Sequence, residues 1–222
     1  ENEDEVRTCR ERYGRSPVAH LEALGLLGPQ VVADHCVMLT PDEIALLAAR
    51  GVKVAHCPES NLKLASGIAP VVQMLEAGVC VGIGTDGSAS NNDVDMFGEM
   101  NTAAKIQKLK RMDPTVMAAD LTLWAATMGG AGVLGAATQI GSLETGKKAD
   151  CIVLDLDQPH LTPMYHPVSH LVYAARGGDV IHSVINGRLV MRNRQLLTLD
   201  EAAILARAAE IGDRFRRIRN AG

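Results

Sequence analysis

Aromatic residues are scarce in this chain: Phe, Trp and Tyr together make up 3% of its 222 residues. So few rings cannot build the stacking platform that single-stranded nucleic acid needs. A basic excess is missing too. Lys and Arg number 22 against 26 Asp and Glu, for a net charge of −4, the wrong sign for a nucleic-acid surface. No apolar run approaches the ~18 residues of a membrane span. The five cysteines (Cys9, Cys36, Cys57, Cys80 and Cys151) are odd in number, scattered and without a C-x-x-C pair. A disulfide framework is therefore not expected, and a reducing, cytoplasmic setting is. The first residues, Glu1-Asn2-Glu3-Asp4-Glu5, are acidic where a secretory leader is basic and then apolar. What the chain does have is core material. Hydrophobic residues reach 47%, enough for one large soluble domain, or one domain with a small companion.

Along the first half, a strand-then-helix plan repeats. Glu3 to Glu11 reads as a helix, and Val31 to Cys36 as a short strand. Thr40-Pro41-Asp42-Glu43 is a capping box with proline at the first helical position, and Gly51 stops that helix. Val52 to His56 is the next strand. Pro58, Ser60, Asn61 and Gly67 read as a loop, and Pro70 opens a helix that Gly78 ends. Val79 to Thr85 is an unbroken apolar or small run, as a parallel strand buried on both faces requires. Strand starts about 21 and 27 residues apart, with helices between, are βαβ spacing.

The second half changes character. Asp93 to Lys110 and Pro114 to Thr127 read as helices, and the glycines at 129, 130, 132 and 135 as a break. Ala149 to Leu154 and Val180 to Ile185 read as strands. Asn186-Gly187 is a two-residue hairpin turn, with Arg188 to Met191 returning. Thr198 to Arg216 closes as an amphipathic helix. The expected organisation is an α/β body over residues 1–139 and a β-rich appendage with a C-terminal helix over 140–222.

Polar residues collect at the strand ends, where parallel sheets place their sites. Asp86 follows the apolar run. A carboxylate at the mouth of a buried strand needs a cation, an Arg or a helix N-terminus to hold it. It serves equally as the capping residue of a Thr85-Asp86-Gly87-Ser88 turn, and both readings stand. His35, at another strand end, is either a hydrogen-bonded core residue or a ligand. His56 reads as a brace for the turn at Pro58. The pairs His35-Cys36 and His56-Cys57 do not make a structural zinc site. They lack the close ligand spacing, and neighbours on a strand point to opposite faces. Neither G-x-G-x-x-G nor G-x-S-x-G occurs, so dinucleotide binding and a serine nucleophile have no support. Glu1, Glu3, Asp4 and Glu5 read as solvated acids at a helix start.

Longer motifs carry a resemblance. Val54-Ala55-His56-Cys57-Pro58-Glu59-Ser60-Asn61 through Gly67, and Gly82-Ile83-Gly84-Thr85-Asp86-Gly87 through Asp93, resemble the amidohydrolase superfamily. They are similar to its aminohydrolase branch of chlorohydrolases, guanine deaminases and 5-methylthioadenosine/S-adenosylhomocysteine deaminases, the last most of all. Ala33 to Thr40, Ile140 to Asp155 and Val184 to Arg188 resemble further segments of the same family. The resemblance implies the C-terminal part of a (β/α)8 barrel of the metal-dependent hydrolase type, plus part of a small β-sandwich. It also implies one divalent metal, zinc as a rule.

The chain departs from the family pattern. A whole barrel takes ~250 residues, and the His-x-His pair of the family's first strand occurs nowhere here. Glu1-Asn2-Glu3-Asp4-Glu5-Val6 matches the family's Glu-x-x-x-Glu-Val run, whose histidine lies three residues before the catalytic Glu. The resemblance therefore implies that Glu1 is that Glu, and that the N-terminal half of the barrel is a partner missing from this sequence. It makes Asp86 the metal ligand from strand eight and a proton acceptor from the attacking water. Glu1 donates to the ring nitrogen, and His35, from strand six, hydrogen-bonds the attacking oxygen or the purine. Glu1, His35 and Asp86 are thus the expected catalytic and substrate-binding residues. The expected reaction is hydrolytic deamination of a purine nucleoside, here methylthioadenosine or S-adenosylhomocysteine. Alternatives are another ring amine or halide of the guanine or triazine type, or a fragment inactive without the His-x-His half. Neither nucleic acid nor membrane is an expected partner, and a homo-oligomer is compatible with the composition.

Overall fold

The computed structural model describes residues 1–221 and divides into two compact units. The first comprises Glu1–Lys147 with Leu156–Gly177, and the second Lys148–Asp155 with Gly178–Gly222.

The first unit begins with helices α1 (Glu3–Tyr13) and α2 (Pro17–Ala23). Asn2 and Glu5 form a capping box at the start of α1, and Gly14 ends it at φ +70°. Strand β1 (Val32–Asp34) leads to α3 (Pro41–Arg50), then β2 (Lys53–His56), α4 (Pro58–Lys63), α5 (Val71–Glu76) and β3 (Cys80–Ile83). The capping box predicted at Thr40 forms, with Glu43 returning the bond, and Gly51 closes α3 in the left-handed region. The three strands are parallel in the order β1-β2-β3, pairing Ala33 with Val54 and Val54 with Val81. Leu47, Val52, Val54, Met74, Val81 and Met117 are buried together as the main core. This sheet with its crossover helices is a partial (β/α)8 barrel.

Two expectations fail here for physical reasons. The stretch after His56 is not only loop: Pro58 takes the first helical position and starts α4, where a missing N–H costs nothing. The glycines near 130 do not break the chain either. Helix α6 (Met96–Arg111) is followed by α7 (Ala119–Trp124), a π turn at Ala125–Gly129 and α8 (Gly130–Val133). A Cβ on Gly82 would stand 2.8 Å from the Gly130 Cα, and one on Gly129 2.6 Å from the Val81 carbonyl. These glycines let a helix lie directly on β3, a packing role that outweighs their poor helix propensity.

Residues 156–177, grouped by sequence with the β-rich part, belong to the first unit. Helix α9 (Pro167–Tyr173) packs on α6 and α7. Asn101 donates to the Tyr173 carbonyl at 3.1 Å, and the Gly177 N–H to Asp95 at 2.9 Å.

The second unit is an antiparallel sheet in the order β4-β5-β6-β7: Cys151–Leu154, Val180–Ile185, Arg188–Arg192 and Gln195–Leu196. Asn186 and Gly187 take the hairpin turn at φ +51° and +76°, the mirror-image geometry that suits twisted strands. The chain ends in α10 (Glu201–Ala221).

Candidate active site

The site lies in the first unit, at the C-terminal ends of the three strands. There the backbone leaves its ordinary regions. His35, Cys36 and Asp86 have φ of +66°, +49° and +60°. Left-handed backbone at non-glycine residues stores about 1–3 kcal/mol each, which surrounding contacts must offset. In return, it turns side chains from the ends of separate strands toward one place.

Asp86 is held by three donors. Ser60 and Ser90 hydroxyls donate to Oδ2 at 2.7 and 2.6 Å, and the Gly87 N–H donates to Oδ1 at 2.7 Å. Those hydrogen bonds, with Ser90 contributing most, pull its pKa down to about 2, so Asp86 is an anion at neutral pH. His35 is oriented through its other edge: its Nδ1 lies 2.8 Å from the Asn61 Oδ1. Its Nε2 then faces both carboxylates, 3.7 Å from Glu1 Oε2 and 3.9 Å from Asp86 Oδ2. Glu1 receives a hydrogen bond from the Ser66 hydroxyl. All three sequence-selected residues therefore meet at one point, and one short segment, Ser60 to Ser66, touches each of them.

The linear pattern did not single out that segment. Ser60, Asn61 and Ser66 are all buried, although in sequence they look like ordinary loop polarity. The available signal was a polar run directly after a strand-end His56-Cys57-Pro58. His56, read as a brace, is 1% exposed, with no hydrogen-bond partner on either ring nitrogen. Burial pushes its pKa down to about 3, so the ring is neutral. A cavity of about 960 Å3 opens beside Glu1, lined among others by Arg12, Tyr13, Met38 and Ser66.

The donor set fits part of a metal site. Asp86 offers an anionic oxygen and His35 an imidazole nitrogen, which suit zinc. Among the described residues, though, no group of three His, Cys, Asp or Glu side chains could hold a metal ion. Further ligands would have to come from outside this chain.

A family model for the amidohydrolase family matches residues 1–190. The chain belongs to the amidohydrolase family. A curated 5-methylthioadenosine/S-adenosylhomocysteine deaminase from Syntrophobacter fumaroxidans is 57% identical over 211 residues, which is 95% of this chain and 48% of that protein. A zinc-bound adenosine deaminase structure from Xanthomonas campestris superimposes with a TM-score of 0.95 at 46% identity, covering 98% of this chain and 49% of that one. An atrazine chlorohydrolase from Arthrobacter aurescens, complexed with zinc, follows at a TM-score of 0.87 and 28% identity, covering 95% of this chain and 47% of that one. The amidohydrolase chain described here thus spans about half the length of the curated relatives it matches.

Proposed function

We propose that this amidohydrolase chain supplies one half of the active site of a metal-dependent deaminase of purine nucleosides, with methylthioadenosine and S-adenosylhomocysteine as the substrates. The observation that carries this reading is the convergence of Glu1, His35 and Asp86, with His35 Nε2 within 3.9 Å of both carboxylates. Relatives bearing that activity in their names support the choice of substrate. Residues 1–139 hold all three groups and their hydrogen-bonding partners, and we assign that stretch to the barrel and the sheet unit of 148–155 and 178 onward to the appendage.

Hydrolytic deamination replaces a ring C–NH2 by C=O: water adds to the carbon and ammonia leaves. Asp86 enters as an anion. It would serve as a ligand to the divalent ion and as acceptor of one proton from the attacking water. Glu1 would give a proton to the ring nitrogen as the carbon–oxygen bond forms. His35 would hydrogen-bond the incoming oxygen, its ring direction set by Asn61. Asp86 would then pass the proton it took from water to the departing amine, which leaves as ammonia, while Glu1 would take up the hydroxyl proton as the carbonyl forms. A bound zinc ion would supply Lewis acidity that makes water nucleophilic near neutral pH.

The complementary half, with a His-x-His pair, is the partner this reading requires. Five thiols without a disulfide favour a reducing, cytoplasmic setting, and the net charge of −4 disfavours nucleic acid. The test is spectrophotometric. The complete zinc-loaded protein should convert methylthioadenosine to its inosine analogue with release of ammonia. A protein with full zinc occupancy that releases none refutes the reading, and turnover of guanine or a triazine instead would move it to the alternative substrates.

A further inference from the structure

Glu99 sits in the first turn of α6, fully buried at 0% exposure, and the mechanism above gives it no task. A buried carboxylate is costly unless its oxygens are satisfied. Here both are. Oε2 accepts the Glu59 backbone N–H of α4 at 3.2 Å, and Oε1 accepts the Asn91 side-chain amide at 2.5 Å. Asn91 in turn accepts the Val94 N–H at 2.6 Å through its Oδ1, which fixes the fold of the loop running on from Asp86. The other contact point, Glu59, immediately precedes Ser60 and Asn61, the residues that hold Asp86 and His35.

We propose that Glu99 is a positioning residue for the active site, locking the Asp86 loop to helix α4 so that Ser60 meets Asp86 and Asn61 meets His35. The catalytic part of this proposal rests on the deaminase reading; the structural tie does not. Helix α4 is also tied to α6 and to the loop by other contacts. Glu59 Oε1 accepts the Thr102 hydroxyl of α6 at 2.9 Å, and Lys63 donates to the Ala89 carbonyl of the loop at 2.9 Å. Those contacts hold the elements near one another. Glu99 alone among these side chains bonds to both α4 and Asn91.

The chemistry explains why a carboxylate is needed rather than its amide. Both partners of Glu99 are N–H donors, so in the ionised form, which dominates above about pH 7, both of its oxygens accept. Glutamine fits the volume but must turn its NH2 toward one donor. Asn91 cannot relieve the conflict by flipping its amide, because its oxygen is committed to Val94. The conflict disappears if the polarity is exchanged across the pair. In a Glu99→Gln, Asn91→Asp double variant, the oxygen of the introduced amide accepts from the Glu59 N–H. Its NH2 donates to the introduced carboxylate at position 91, and that carboxylate still accepts from Val94.

The experiment uses the complete zinc-loaded protein at about pH 8, where Glu99 is ionised, with two readouts: amide hydrogen exchange of residues 87–94 and steady-state deamination of methylthioadenosine. Glu99→Gln should speed exchange in that loop and lower kcat, each about tenfold, as loss of one buried hydrogen bond implies, with KM changing less. Asn91→Asp alone, which sets two carboxylates face to face, should loosen the loop as well. The double variant should restore both loop protection and kcat. Unchanged exchange in Glu99→Gln overturns the tie, as does failure of the double variant to restore protection. Faster exchange with undiminished kcat overturns the positioning role. A parent protein with no deamination sinks the deaminase reading alone, and the exchange arm then still decides the tie.

Discussion

The Ser60 hydroxyl lies 2.7 Å from Asp86 Oδ2. The two residues are 26 positions apart in sequence and on different strand–helix units. That bond turns a short helix after one strand into a support for the carboxylate after the next. With Asn61 on His35 and Ser66 on Glu1, it makes one segment the common seat of three groups that arrive from three places in the chain.

Removing that support should cost activity before it costs the fold. Ser60→Ala deletes a hydrogen bond to a charged group, worth about 1.5–3 kcal/mol, and lets the Asp86 pKa rise from about 2. Because Ser90 and the Gly87 N–H remain, the fold should persist, with the thermal midpoint lowered by several degrees. Deaminase kcat should fall by about tenfold, measured beside a melting curve.

The ring of His35 depends on Asn61, which is 1% exposed. Asn61→Ala leaves Nδ1 without its acceptor and opens a small cavity, so both orientation and packing suffer. A loss of about 2 kcal/mol in stability is expected, with kcat reduced further than Ser60→Ala reduces it. Denaturant midpoints and kinetics on the same preparations check both.

Gly82 is a packing position. A methyl there would stand 2.8 and 3.0 Å from the Gly130 Cα and N, and 3.1 Å from the Val133 Cγ2. Two of those are backbone atoms and cannot rotate away. Gly82→Ala should therefore destabilise the first unit by about 1–3 kcal/mol, whereas Gly87→Ala, with open space around it, should be close to neutral. Urea unfolding distinguishes the two.

Stability should also fall with rising pH through one group. Burial, with smaller contributions from Glu59, Asp93 and Asp86, pushes the Glu99 pKa from 4.5 up to about 7, against the lowering effect of the Glu59 N–H. Between those values the folded protein keeps a proton that the unfolded chain has released. The contribution is full below the unfolded value and is lost as pH rises through about 7. Unfolding at about pH 5 and about pH 8 should show this decline, and Glu99→Gln should flatten it.

Zinc should bind this chain weakly on its own. With no three-residue metal group among the described residues, Asp86 and His35 cannot match a four-ligand site. Calorimetric titration of the isolated 222-residue chain should show low affinity, and tight binding would expose a further ligand set.

How much of this was legible beforehand varies by residue. The Thr40 capping box, the stop at Gly51 and the Asn186-Gly187 hairpin were readable because each depends only on neighbours in sequence. Helix α4 was not, because Pro58 and the polar residues after it spell a loop as well as a first helical turn. The glycines from 129 to 132 suggest a break because their reason lies across space, in the closeness of β3. Asp86, His35 and Glu1 could be singled out by strand position and resemblance, but not their holders. Ser60, Asn61 and Ser66 lie in a polar run that reads as a loop, with no sign of which strand end each will hold, and Glu99 carries no mark in a linear string.

Local pattern was thus enough to set the alternation of strands and helices, the parallel character of the buried runs and the polar strand ends. Those features follow from periodicity, capping and the cost of burying polar backbone. Which side chains meet depended on folding. Left-handed backbone at His35 and Asp86 aims groups from separate strands at one spot, and Glu99 with Ser60 locks them there. Such contacts span tens of residues, and their energy exists only once the intervening chain has packed.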